Sequence, residues 1–153
     1  MNCKKLFFFG TLCLSVLCRG NAPAEMISIK GEDINMRSGP GTNYAVLYKL
    51  GSGMPLDVIK RSDDWLQVRD FEGEIGWVHQ VTVGSTPQVI VKTNKGSSSQ
   101  INVRSGPGLD NKIVATAFYG VVFKKIGERD QWVEVEHDQG VKGWIARDLL
   151  WGF

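Results

Sequence analysis

Two arginines and two tryptophans are the residues of this chain whose chemistry best suits the holding of a ligand. Arg37 and Arg104 lie 67 residues apart, and Trp65 and Trp132 repeat the same spacing. A guanidinium can bind a carboxylate or backbone carbonyls, and an indole ring offers a flat apolar surface to a peptide or a sugar. We therefore predict that these four residues contribute to ligand binding.

Each of these residues also has an alternative role inside the fold. An arginine beside a glycine-rich turn can donate to the carbonyls of that turn, which need internal partners before any ligand does. Trp65 can pack rather than line a groove, because buried tryptophans are common. If it lines a groove, Tyr44 and Tyr48 are expected to join it. The matching positions of the second copy hold Asn111 and Ala115, so two such grooves cannot be alike.

Residue sets for catalysis or metal binding do not repeat in this way. His79 and His137 are not equivalent, because the residue 67 positions before His137 is Asp70. A metal site built twice would need its ligands twice. Asp63 and Asp64 fall in a predicted turn, where aspartate caps its own backbone, and no carboxylate pair is placed for hydrolysis. We predict a protein that is not an enzyme and that holds no metal or cofactor.

The spacing of 67 belongs to a whole repeated unit. Asn-Met-Arg-Ser-Gly-Pro-Gly at 35–41 recurs as Asn-Val-Arg-Ser-Gly-Pro-Gly at 102–108, and a Gly-Trp pair recurs at 76–77 and 143–144. Such a repeat indicates one folding unit used twice. Glycine supplies turn conformations that cost other residues more, and proline fixes φ. We predict turn roles for Gly39, Pro40, Gly41, Gly106, Pro107 and Gly108, and core or barrel-closing roles for Trp77 and Trp144.

Glycine and proline punctuate the units about every 8 to 12 residues, which is typical of short strands in a small barrel or sandwich. In the first unit we predict strands at 26–30, 33–37, 45–49, 55–61, 65–70 and 75–79. Side chains alternate between the two faces of a strand. We therefore assign Leu66 and Val68 to the core, and with them Val133 and Val135 of the second unit.

The first 24 residues have the pattern of a secretion signal. Lys4 and Lys5 precede an apolar run at 6–17, and Ala-Pro-Ala at 22–24 fits a cleavage site. We predict cleavage after Ala24, a first domain at 25–84 and a second at 85–153, joined by a short linker at 84–87. All three cysteines lie in the leader. Cys18 is an alternative lipidation site, but the residue before it is a leucine where a small residue is expected.

Charge argues against nucleic acid as the partner. The whole chain has 18 basic and 16 acidic residues, and the leader holds three of the basic ones and none of the acidic ones, which leaves 15 against 16. Electrostatic binding of nucleic acid depends on a basic excess or a basic stripe. The apolar run of the leader is also shorter than the roughly 20 residues of a membrane span, so we predict no integral span in the mature chain.

The repeated motifs resemble bacterial SH3-like (SH3b) domains: Asn-x-Arg-Ser-Gly-Pro-Gly, a Trp-x-x-Val strand, a later glycine, and Gly-Trp-Val or Gly-Trp-Ile. The ending Leu-Leu-Trp-Gly-Phe at 149–153 resembles exported tandem proteins of this family of alphaproteobacterial type. The resemblance implies an all-β fold of two tandem small barrels, each of five or six strands. It also implies an accessory binding role, because the family is often attached to cell-wall peptidases and amidases.

Three functions follow as hypotheses. The first is an exported, non-enzymatic binding module of the periplasm or cell envelope that recognises cell-wall peptide or glycan, that is, peptidoglycan, or a protein partner. The second is a docking or assembly subunit for an envelope protein, without wall binding. The third is polyproline recognition, which needs a dense aromatic groove that only Tyr44, Tyr48 and Trp65 could supply.

Overall fold

The computed structural model describes residues 25–153, so the predicted signal peptide, its cleavage site and Cys18 lie outside the described residues. Strands make up most of the regular structure. The first repeat contains β1 (Glu25–Ile29), β2 (Ile34–Arg37), β3 (Val46–Leu50), β4 (Pro55–Ser62), β5 (Trp65–Arg69), β6 (Ile75–His79) and β7 (Val83–Gly84). The second contains β8 (Gln88–Val91), β9 (Ile101–Arg104), β10 (Ile113–Ala117), β11 (Val122–Arg129), β12 (Trp132–Glu136), β13 (Lys142–Ala146) and β14 (Leu150–Gly152).

A single 3₁₀ turn precedes the last strand of each repeat, at Gln80–Thr82 and at Arg147–Leu149. Each turn has three residues, and residues 25–153 include no helix with the length and apolar character to cross a membrane.

Each repeat forms one antiparallel sheet of seven strands. The strand order is β3-β2-β6-β5-β4-β1-β7 in the first sheet and β10-β9-β13-β12-β11-β8-β14 in the second, so the two connectivities are identical. The predicted all-β fold of two tandem small domains is therefore confirmed. The strand number differs from the five or six that the resemblance implied, because the two-residue β7, at Val83–Gly84, pairs with β1 as a seventh strand.

The strands predicted for the first repeat are all present, and each begins and ends within one residue of its predicted limits. Burial alternates along β5 as expected. Leu66 and Val68 are 2% and 0% exposed, and Val133 and Val135 of β12 are both 0% exposed, which confirms the core face. Each repeat encloses a separate cluster of buried apolar side chains, with Met36 and Leu56 at the centre of the first and Val103 and Phe123 in the second.

The long strand of each repeat carries a β-bulge at the same position. The register between β4 and β5 shifts between Val58 and Lys60, and that between β11 and β12 shifts between Lys125 and Gly127. The residues at the shift are Ile59 and Ile126, which lie 67 positions apart and are exposed on the surface. A bulge bends its strand and increases the local twist, which helps a short sheet curve around its own core.

The two domains are joined by contacts between side chains as well as by the linker. Glu72, in the turn between β5 and β6, accepts a hydrogen bond from the Tyr119 hydroxyl and lies 2.9 Å from Lys95 Nζ. The rings of Phe71 and Tyr119 pack with their centroids 5.3 Å apart. The linker is held in turn by the Ser28 hydroxyl, which donates to the carbonyl of Thr86 at 2.9 Å. These contacts fit the expectation of a rather fixed pair.

The interdomain contact changes the pKa values of its members in opposite directions. The hydrogen bond from Tyr119, followed by that from Lys95, lowers the pKa of Glu72. Burial, followed by the hydrogen bond to Glu72, raises the pKa of Tyr119 to about 12. Glu72 therefore favours the folded pair above its unfolded pKa of 4.5 and loses this effect as the pH falls through its lowered folded value. Tyr119 contributes fully below pH 10 and loses its effect as the pH rises through about 12.

We predict that Glu72→Gln lowers the pKa of Tyr119 from about 12 toward, but not to, its ordinary value of 10, because burial, the largest cause, remains. The measurement is a pH titration of the tyrosine ring resonances by NMR. Glu128→Gln is the matched control, since Glu128 pairs with Lys125 and Arg147 in the second domain. An unchanged Tyr119 titration in the Glu72 variant would contradict the contact.

Candidate functional site

The arginine of each repeat holds the following loop in place. Arg37 Nη1 donates to the carbonyls of Thr42 at 3.1 Å and Tyr44 at 2.8 Å. Arg104 Nη1 donates to the carbonyls of Leu109 at 2.9 Å and Asn111 at 2.8 Å, which are the equivalent positions. The structural role left open for these arginines is therefore present in both repeats. In residues 25–153 these bonds involve Nη1 alone, which leaves Nη2 and Nε for a ligand carboxylate.

The glycines of the loop are required mainly for space. Gly108 has a left-handed φ of 134°, whereas Gly39, Gly41 and Gly106 are not in the left-handed region. A Cβ on Gly39 would lie 2.3 Å from the Tyr44 ring, and one on Gly106 would lie 2.7 Å from Asn111 Oδ1. The expectation that all four supply unusual turn conformations therefore holds for Gly108 alone, because at the others a side chain folds back over the backbone.

Removing the arginine should loosen this loop and destabilise its domain. We predict that Arg104→Leu lowers the free energy of unfolding by about 2 kcal/mol, since two carbonyls lose a charged donor. The measurement is urea-induced unfolding followed by NMR signals of the second domain. Arg69→Leu serves as the control, because its ion pair with Asp57 spans 3.9 Å at the surface and such pairs contribute about 1 kcal/mol or less. Equal effects of the two variants would exclude the proposed role.

Trp65 and Trp132 begin β5 and β12 and lie half-buried on the face opposite the core. Trp65 is paired across the hairpin with His79, and the two rings meet edge to face with centroids 5.2 Å apart. The equivalent partner of Trp132 is Ala146, so the second indole has no such neighbour across the strand pair. The two tryptophans therefore stand in different surroundings on the same framework.

Each tryptophan lines a surface cleft together with the arginine of its repeat. Groove 1, of about 360 Å³, is lined by Asp33, Ile34, Asn35, Arg37, Thr42, Trp65, His79, Val81 and Thr82. Groove 2, of about 300 Å³, is lined by Thr93, Asn94, Gln100, Ile101, Asn102, Arg104, Leu109, Trp132, Ala146 and Leu149. Eight of the nine positions of groove 1 recur in groove 2 at the spacing of 67, with tryptophan, arginine and asparagine unchanged.

The positions that differ make groove 1 the more polar. Asp33, Thr42, His79 and Thr82 are replaced by Gln100, Leu109, Ala146 and Leu149. Groove 1 thus has a carboxylate and an imidazole that groove 2 lacks, whereas groove 2 gains two leucines. The prediction that the grooves cannot be alike agrees with this lining, but the differences fall at positions that the sequence analysis did not name.

Tyr44 and Tyr48 do not join Trp65, which differs from the expectation of one aromatic groove. The Tyr44 ring lies over Gly39. The charge of Glu74, followed by burial and by the charges of Asp70 and Glu72, raises the pKa of Tyr48, which places this ring near the turn between β5 and β6. Trp65 is at the other end of β5. The aromatic set needed for polyproline recognition is therefore not assembled.

Trp77 and Trp144 follow the glycines of β6 and β13 and alternate with core residues Val78 and Ile145. Their rings lie on the outer face and not in the core. Trp77 is 9% exposed, and Trp144 is half-buried with the Arg129 guanidinium 5.9 Å from its ring centre. Of the two roles predicted for them, the placement is that of residues that cover the outside of the barrel.

The remaining acids and histidines serve the turns. Asp70 Oδ1 accepts from the backbone N–H groups of Glu72 and Glu74, both at 2.9 Å, and burial raises the pKa of this carboxyl despite these hydrogen bonds. At the equivalent position, His137 Nδ1 accepts from the N–H of Gln139 at 3.2 Å. In the part of the chain that the structure describes, no three side chains of His, Cys, Asp or Glu are grouped to hold a metal ion.

The grooves are therefore suited to binding. The indole can pack against a sugar ring or an apolar side chain, the free guanidinium nitrogens can pair with a carboxylate, and the asparagine can bond to a peptide group. Asn35 and Asn102 were not predicted as site residues, although each opens a repeated motif beside the arginine. Their recurrence at the shared spacing was the signal that identifies them.

Comparison with known proteins agrees with this architecture. The family model described as Bacterial SH3 domain matches residues 30–84 and 97–152. Among curated proteins, the Putative N-acetylmuramoyl-L-alanine amidase YrvJ of Bacillus subtilis (strain 168) is 28% identical over 140 residues. This match covers 83% of the present chain and 27% of the amidase, so the chain spans about a quarter of that relative.

Solved structures with similarity include NlpC2 from Trichomonas vaginalis, which is 12% identical with a TM-score of 0.37 over 84% of this chain and 48% of its own. An NlpC/P60 family protein from Bacillus cereus ATCC 10987 is 13% identical with a TM-score of 0.36, over 84% of this chain and 56% of its own.

Proposed function

Because the chain belongs to the bacterial SH3 domain family through both of its repeats, we propose that it is an exported, non-enzymatic binding protein of the periplasm or cell envelope. Its ligand is cell-wall peptide or glycan, bound by grooves 1 and 2. The observation that carries the proposal is the recurrence of tryptophan, arginine and asparagine at matching positions of two clefts. Residues needed only for folding would have no reason to line a cleft in both copies.

The chemistry of the cell wall suits this lining. Its glycan presents apolar sugar faces and amide groups, and its peptides present carboxylates along a flexible backbone. An aromatic anchor with a few polar groups is the common way to bind such ligands. The guanidinium nitrogens that do not hold the loop supply the charge for a carboxylate.

The relatives supply a setting in which such a protein would act. One of them is named as an amidase of N-acetylmuramoyl-L-alanine, and this chain matches only 27% of its length. The matching part corresponds to the family's binding domains, so we assign binding rather than hydrolysis to this chain. The leader pattern of residues 1–24 supports export.

The proposal is tested by co-sedimentation of the purified protein with purified peptidoglycan at low salt. We expect retention that rises with the amount of peptidoglycan and saturates. Failure to sediment at any amount would overturn wall binding. Crosslinking in the native envelope with mass analysis separates wall binding from the alternative, a docking subunit, because a docking subunit would yield crosslinked protein and no wall fragments.

A further inference from the structure

The second domain contains a small apolar pocket away from groove 2. This β10 pocket, of about 180 Å³, lies between β10 and β11 and is bounded by Val103, Ala115, Ala117, Val121, Phe123 and Val141, with His137 at its edge. Groove 2 contains Trp132, at the start of β12, whereas His137 follows the end of that strand. The two sites are therefore at opposite ends of the hairpin of β12 and β13.

The first domain places an aromatic ring at the matching point. Ala115 corresponds to Tyr48 at the spacing of 67 residues. Tyr48 lies beside Asp70, Glu72 and Glu74. The equivalents of these acids in the second domain are His137, Gln139 and Val141, all of which line the β10 pocket. The space that a phenol ring covers in one domain is thus left open in the other.

The strand beside the pocket has an unprotected edge. Within residues 25–153, β10 pairs with β9 and with no other strand. It carries no charged residue, and its Ile113 and Val114 are 53% and 51% exposed. The equivalent β3 carries Lys49, which pairs with Asp33 at 3.8 Å. Edge strands are usually protected by charge, and an uncharged edge accepts an added strand.

We propose that β10 and the β10 pocket bind an extended segment of a partner protein, which adds as a strand to the free edge and inserts one aromatic side chain beside Ala115. The ring takes the place that Tyr48 occupies in the first domain. Backbone hydrogen bonds give the segment its direction, and the pocket selects the aromatic residue. This site is independent of wall binding by grooves 1 and 2.

The test uses the purified ¹⁵N-labelled protein and the peptide acetyl-Thr-Val-Tyr-Val-Thr-amide as the probe, with the same peptide carrying alanine in place of tyrosine for comparison. We expect amide shifts centred on Ala115, Ala117 and Phe123, and binding of the alanine peptide weaker by roughly 10-fold or more, since it buries no ring. Shifts confined to the Trp132 groove, or equal binding of the two peptides, would overturn the proposal.

Variants copied from the first domain sharpen the test. Ala115→Tyr fills the pocket and Thr116→Lys places the charge of Lys49 on the exposed edge, and each should weaken binding by at least 10-fold while retention on peptidoglycan stays unchanged. Thr116 is exposed, so its variant should fold even if the pocket variant does not. Tyr48→Ala is the control and should leave binding unchanged. Loss of binding in the control alone, or a dimer of this chain that Ala115→Tyr dissociates, would overturn the assignment to a partner protein.

Discussion

Replacing Trp65 with alanine is expected to lower the apparent affinity for purified peptidoglycan by about 100-fold, because one of two linked binding sites is lost. Linked sites raise apparent affinity by about 100- to 10,000-fold when both can be occupied together. The domains are held together by Glu72, Tyr119 and Lys95, which suits simultaneous occupation. The measurement is a sedimentation isotherm with increasing peptidoglycan.

The remaining groove sets the second half of this prediction. Trp132→Ala alone should give a loss of similar size, and the double variant should fall to background. Ile59→Ala is the matched control, since Ile59 is an exposed apolar residue outside both grooves, 41% accessible. Retention of the double variant at the level of the control would disprove binding through the grooves. Circular dichroism of each variant shows whether its fold is intact.

The second large effect is expected at a glycine where two strands cross closely. A Cβ on Gly143 would lie 2.6 Å from the Arg104 carbonyl oxygen and 2.6 Å from Val103 Cγ1. Backbone cannot move away without breaking the approach of β13 to β9, which are paired at Trp144 and Arg104. We predict that Gly143→Ala lowers the free energy of unfolding by about 3 kcal/mol, at the upper end for overpacking.

Its equivalent in the first domain should be more tolerant. A Cβ on Gly76 would lie 2.5 Å from Met36 Cγ and 3.1 Å from the Arg37 carbonyl oxygen. A methionine side chain can adopt another rotamer, so Gly76→Ala should cost about 1–2 kcal/mol. Urea unfolding followed by NMR signals of each domain measures both. Gly127→Ala, whose Cβ would meet only Glu134 Oε2 at 3.4 Å, is the control. If the Gly76 variant proves the less stable, the backbone contact is not the cause.

The strands and the core of this protein were predictable because their signals are local. Leu66 and Val68 alternate with polar neighbours, and such alternation determines which face of a strand is buried. The repeat then transferred the assignment to Val133 and Val135. The seventh strand was not predictable in this way, because Val83 and Gly84 form only two residues whose pairing with β1 depends on the fold as a whole.

The candidate site was predictable only in part. Arg37 and Trp65 are brought to one groove as expected, since their motifs recur together. Tyr44 and Tyr48 are not, because strand register and loop conformation decide where an exposed ring lies, and neither is encoded in residue type. The role of Gly39 likewise depends on the ring of Tyr44 above it, a contact that spacing alone does not reveal.

The contact of Glu72 with Tyr119 and Lys95 has a consequence for selectivity. Two recognition points held at a set separation act as a ruler, and they favour polymers whose repeating groups match that interval. A strand of different periodicity can reach both points only by bending, or by prising the halves apart. The protein would then distinguish cell walls by the distance between their peptides as well as by the chemistry of those peptides.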